Sequence, residues 1–191
     1  DLAGQNPPHR MKTGLLGYPP WLGRYHATAA EEIAGLELSA VFDNRPRRLR
    51  AARDRFPRIT PPTSADDLAA DKEVDLVFIA TPPNTHCRLS LQMMEAGKHV
   101  VCEKPLALNR SETRKMSEMA DRRRVHLSCH QNRRWDSDYL AIEQALRDGA
   151  IGELFYLETF VGGFNHPCGY WHSEATVSGG LSYDWGGHYL D

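Results

Sequence analysis

Val74-Asp75-Leu76-Val77-Phe78-Ile79-Ala80 (VDLVFIA) is the stretch whose reading decides the fold. It is apolar at nearly every position, without the polar alternation of a strand that is wet on one face. A strand of this kind is covered on both faces, as in a parallel sheet. It stops at Thr81-Pro82-Pro83-Asn84, and prolines cannot continue a ladder. Working outward, Lys12–Gly17 (KTGLLG), Leu36–Phe42 (LELSAVF), His99–Cys102 (HVVC) and Val125–Cys129 read as further short strands.

Helical stretches lie between them. One follows Gly23 (RYHATAAEEIAG), and one runs Pro46–Phe56 with proline in its first turn. Ser64 caps a short helix through Ala70, Thr85–Ala96 is closed by Gly97, and Asn109 or Ser111 caps a helix through Arg123. This β-α alternation predicts an α/β fold, a Rossmann-type doubly wound parallel sheet. After His130 the pattern changes to a helix, Asp136–Arg147, and a longer strand, Leu154–Val161. These open a second, α+β region. The expected division is a tail or extension over 1–11, with Met11 as a start, a dinucleotide-binding domain over 12–130, and the beginning of a substrate domain over 131–191.

The 191 residues carry 23 basic and 25 acidic side chains, so no general attraction to nucleic acid or an anionic membrane is expected. The basic run Arg45–Arg58 reads as a solvated helix face. No apolar run reaches the about 20 residues that a membrane span needs. Cys87, Cys102, Cys129 and Cys168 are scattered, which fits reduced thiols in the cytoplasm. His166, Cys168 and His172 match no zinc spacing, and no metal site is expected.

Ligands of open parallel sheets bind beyond the carboxyl ends of the strands. After the first strand comes Gly17-Tyr18-Pro19-Pro20-Trp21-Leu22-Gly23, in the place of a G-x-G-x-x-G turn but with proline at the middle glycine and one extra residue. The second strand ends at Asp43-Asn44, where a carboxylate would hold a ribose hydroxyl and favour NAD, while Arg45 leaves NADP open.

Four separated segments resemble the Gfo/Idh/MocA oxidoreductases: LVFIATPPNTH (76–86), GKHVVCEKPLAL (97–108), QNRRWD (131–136) and GGLSYDWGGHYLD (179–191). The resemblance runs from Lys12 to the end of the chain. It implies Lys104 as the active-site lysine, Glu103 near the nicotinamide ribose, and Asp184 and His188 as an acid–histidine pair. It also implies Thr81, Pro82, Pro83, Asn84, His86 and Asn132 beside the cofactor, and Arg133 lining the substrate cleft. The expected reaction is hydride transfer between NAD(P) and a hydroxyl or keto group of a sugar, cyclitol or related polyol. Family members that cleave glycosides with bound NAD, or a non-catalytic regulator on the same fold, are the alternatives. The resemblance further implies a longer protein whose second domain is an open, mostly antiparallel sheet forming a homo-oligomer. Spaced i, i+4, Asp184 and His188 are expected on one helix face, where the carboxylate can orient the imidazole. Histidine titrates in the range that suits proton transfer from a hydroxyl.

Overall fold

A computed structural model describes residues 10–160, 162 and 171–191. Residues 1–9 of the expected tail, and His166 and Cys168, lie outside the described residues. Five strands, β1 (Met11–Leu16), β2 (Leu36–Phe42), β3 (Leu76–Ile79), β4 (His99–Cys102) and β5 (Leu127–Cys129), form one sheet in the order β2-β1-β3-β4-β5. Every pairing is parallel. The segment around Ile59–Thr60 follows the outer edge of β2, with the Thr60 amide donating to Ser39 O at 2.8 Å.

Successive residues of the central strands feed opposite faces, as the pleat requires. Leu15, Phe78 and Ala80 pack with Ala27 and Ala30 of α1 (Leu22–Glu32) and Ala52 of α2 (Pro46–Arg55). Leu16, Val77 and Ile79 pack on the other face with Leu68 of α3 (Ala65–Ala70), Leu89, Met93 and Met94 of α4 (His86–Glu95), and Met116 and Ala120 of α5 (Arg110–Arg123). This two-sided burial explains why VDLVFIA shows no alternation. Ser64 and Asn109 cap α3 and α5 by accepting from the amides of Asp67 and Glu112. The arginines of α2 are mostly exposed, and only Ala52 is buried on that helix.

Beyond β5, α6 (Ser137–Arg147) follows as expected. Two expectations fail. Residues 154–160 form no strand, and Phe155 and Phe160 are 97% and 88% exposed. A strand exists through its ladder, and no segment among the described residues pairs with this one. Asp184 and His188 do not share a helix. Three short helices, α7 (Ala175–Ser178), α8 (Leu181–Asp184) and α9 (Gly186–Leu190), break at Gly179–Gly180 and at Trp185. No helix among the described residues is long and apolar enough to cross a membrane.

Candidate active site

The order of strands reverses between β1 and β3, and the crevice at such a switch point is where parallel sheets bind ligands. The turn after β1 keeps the packing role of its glycines. Gly17 has φ +89°, and a side chain there would meet Ala80 O at 2.6 Å. A Cβ on Gly23 would lie 2.4 Å from Tyr18 Cα, so the start of α1 rests directly on the turn. Pro19 takes the middle position, and the amide of Gly23 is turned inward onto Pro19 O at 3.0 Å. Tyr18 is buried in the core, Leu22 is half-buried against it, and Pro20 and Trp21 are exposed. The N-terminus of α1 has no side-chain cap and no acidic residue in its first turn. It therefore remains favourable for a phosphate.

Asp43 closes β2 beneath this turn. Its Oδ2 accepts the Tyr18 amide at 2.7 Å, its Oδ1 accepts the Arg45 amide at 2.8 Å, and Arg48 approaches at 3.4 Å. The carboxylate is buried and props the turn, while Asn44 and Arg45 are exposed beside it.

After β3, Thr81, Pro82, Pro83 and Asn84 turn through a single 3-10 turn, with Asn84 exposed and Pro83 buried. Thr81 and Thr85 share a hydroxyl hydrogen bond at 2.6 Å, and Thr85 donates to Pro82 O at 2.7 Å. His86 is fully buried. Its Nδ1 lies 2.8 Å from Pro105 O and its Nε2 2.8 Å from Thr81 O. The imidazole sits between the loop after β3 and the loop after β4, donating to one of the two carbonyls through whichever nitrogen carries the proton, and turns no polar atom to the cleft. Burial pushes its pKa below the ordinary histidine value, against the pull of the two carbonyls.

The loop after β4 splits its two charged residues. Lys104 Nζ donates to the Asp184 carboxylate at 2.7 Å and to Asp184 O at 2.8 Å. Asp184 therefore pairs with the lysine, not with His188. Trp185 lies beside the pair, with Lys104 Nζ 6.0 Å and the Arg133 guanidinium 5.3 Å from its ring centre. His188 is half-buried, and its Nδ1 has no hydrogen-bond partner among the described residues. Its pKa is lowered by burial and then by the charges of Lys104 and Arg133. Arg133 pairs with Asp136 at 2.8 Å, Asn132 is exposed, and Gln131 reaches Gly187 O at 3.2 Å.

Glu103 points the other way, into the protein. Its Oε1 accepts from His26 Nε2 at 2.7 Å and from His130 Nδ1 at 2.9 Å. Burial pushes the carboxyl up, but the hydrogen bonds and charges of the two histidines outweigh it and hold it at about 2. The sequence reading did not single out His26 or His130. The one local signal for His26 is a polar ring on the small-residue face of α1, beside Ala27 and Ala30. Cys102 is fully buried and Cys129 is raised to about 11 by burial, so neither is a reactive thiol.

Residues 11–131 match an oxidoreductase family with an NAD-binding Rossmann fold, Gfo/Idh/MocA. The chain belongs to this family. It is 35% identical to D-apiose dehydrogenase of Paraburkholderia graminis over 77% of the chain and 39% of that protein. It is 27% identical to an NADP⁺-dependent scyllo-inositol 2-dehydrogenase of Bacillus subtilis over 100% of the chain and 52% of that protein. The crystal structure of an NAD-binding protein from Listeria innocua superposes with a TM-score of 0.89 at 38% identity, covering 95% of this chain and 53% of that one. The chain spans about half the length of the curated relatives it matches.

Proposed function

We propose that the whole protein is a nicotinamide-dependent oxidoreductase acting on a hydroxyl or keto group of a sugar, cyclitol or related polyol. The observation that carries this reading is the Lys104–Asp184 pair, gathered at the carboxyl end of β4 from positions far apart in the chain, with His188 a turn further on. The nicotinamide supplies the site that takes up or releases hydride. Lys104 presents an ammonium to the substrate oxygen, Asp184 fixes that ammonium in place, and His188 takes the hydroxyl proton. Burial keeps His188 in its basic form at neutral pH.

The uncapped N-terminal end of α1, with exposed Pro20 and Trp21, borders the pyrophosphate, while Gly17 and Gly23 let the turn and the helix pack closely beneath it. Thr81, Pro82, Asn84 and Asn132 border the nicotinamide side, and Arg133 borders the substrate. Asp43 acts on the ribose mainly by shaping the turn, and exposed Arg45 gives NADP a foothold. Residues 12–130 form the cofactor domain, and 131–191 open a substrate domain that assembles the homo-oligomer. The intact Lys104, Asp184 and His188 set weighs against a non-catalytic regulator.

Titration of the intact protein with NAD⁺ and NADP⁺ by calorimetry, followed by a polyol screen with Lys104→Met as the control, tests the proposal. Nucleotide binding with Lys104-dependent NADH or NADPH formation is expected. A folded protein that binds neither nucleotide would refute it.

A further inference from the structure

His26, Glu103 and His130 come from three different elements: α1, the end of β4, and the residue after β5. Their donor atoms lie within 4.8 Å of one another. Simple neutralisation of a buried carboxylate needs one imidazolium, and two donors would ordinarily divide between its two oxygens. Here both rings converge on the single atom Oε1. The second oxygen is held separately, by the Lys104 amide at 3.2 Å.

The framework around the three donors is rigid. The Glu103 amide donates to Ile79 O and the His130 amide to Cys102 O, at 2.9 and 2.8 Å, so both residues are pinned to the sheet. His26 stacks on Phe78 and meets His130 edge-on, with ring centres 5.4 and 4.8 Å apart. Tyr25 packs against both rings. His130 is the most open of the three, with 21% of its side chain exposed.

We propose that His26 Nε2, His130 Nδ1 and Glu103 Oε1 form a binding site for a divalent first-row transition ion such as Zn²⁺ or Co²⁺. Two imidazoles and one carboxylate suit these ions, whereas Ca²⁺ and Mg²⁺ prefer all-oxygen shells. A tetrahedral ion with bonds of about 2.1 Å spaces its donors about 3.4 Å apart. The observed 2.7 and 2.9 Å contacts open to that spacing by small ring rotations. The ion takes the place of the protons that now join the rings to Oε1; each ring keeps one proton on its other nitrogen, any second proton leaves to solvent, and a solvent molecule on the His130 side completes the shell. Bound metal then ties α1, β4 and β5 together. This site does not depend on the proposed reaction.

The test is a Co²⁺ titration of the intact, metal-stripped protein, followed by its visible absorption and checked by Zn²⁺ competition. Uptake of one ion per chain, weakened about 100-fold or more in His26→Gln and in His130→Gln, is expected. Because each substitution alters a buried ion pair, a histidine ¹⁵N NMR titration of the unaltered protein with Zn²⁺ runs beside it. Selective shifts of two ring nitrogens, one Nε2 and one Nδ1, support the site. No uptake by folded protein, uptake that survives both substitutions, or Zn²⁺ that leaves the histidine nitrogens unmoved would overturn it.

Discussion

Replacing His86 by leucine removes the clasp between two strand-end loops with little loss of volume. The imidazole sits 2.8 Å from both Pro105 O and Thr81 O, and is fully buried. Held neutral by burial, the ring has one N–H to give, so leucine takes a hydrogen-bond donor from one interior carbonyl and sets an apolar side chain against both. A buried polar group stripped of its partner costs about 1–3 kcal/mol, and a carbonyl with a second lone pair falls toward the low end. The expected loss is thus about 1–2 kcal/mol for the one hydrogen bond removed. In a domain of this size each kcal/mol moves the midpoint by about 2–4 °C, so Tm falls by roughly 2–8 °C. A second signature follows from the ring's lowered pKa. Below the ordinary histidine value of about 6.5 the unfolded chain takes up a proton that folded His86 resists, so stability declines as pH falls through that value toward the depressed one. His86→Leu should flatten this decline. The assay is urea and thermal unfolding of the intact protein between pH 7 and 5, as an order-of-magnitude window around that pKa (~6.5), with nucleotide affinity measured alongside. An unchanged Tm combined with lost nucleotide binding would show that the imidazole touches cofactor instead of joining the loops, and would refute the reasoning.

Lys104→Met should lower kcat by about 10²–10⁴-fold while nucleotide still binds, as steady-state kinetics and calorimetry will show. Alcohol oxidation should keep its rate to a lower pH than an ordinary histidine permits, since burial, Lys104 and Arg133 all hold His188 deprotonated; the acidic limb of kcat/KM should disappear in His188→Asn. Gly23→Ala drives a methyl group to 2.4 Å from Tyr18 Cα, and should cost about 1–3 kcal/mol in denaturant unfolding along with weaker nucleotide binding. Asp43→Ala strips a charged acceptor from the buried Tyr18 amide and should cost about 1.5–3 kcal/mol; a stability loss below the error of the unfolding curve would mean that the carboxylate does not prop the turn.

Local chemistry in the sequence determined a good deal of this protein. The doubly apolar run at Val74–Ala80 required cover on both faces, and the sheet supplies helices on both. Ser64, Asn109 and Gly97 mark helix ends because capping and a positive φ are properties of a few consecutive residues. The four motifs that place the chain in its family are likewise contiguous words. What the tertiary structure decided are the meetings between distant residues. Lys104 takes Asp184 from 80 positions away, so the carboxylate expected beside His188 is drawn elsewhere, and Trp185 interrupts the helix that would have aligned them. His26 reaches Glu103 across 77 positions only because α1, packed along β1 and β2, lays this ring over Phe78 of β3 and toward the end of β4. His86 reads from the sequence as a loop residue near the cofactor, yet the spacing of two loops turns it inward. Residues 154–160 have the composition of a strand and form none, since a strand is completed by its partner. Helix ends are written into neighbouring side chains, whereas partners across this sheet follow from its strand order, which brings together residues far apart in the chain.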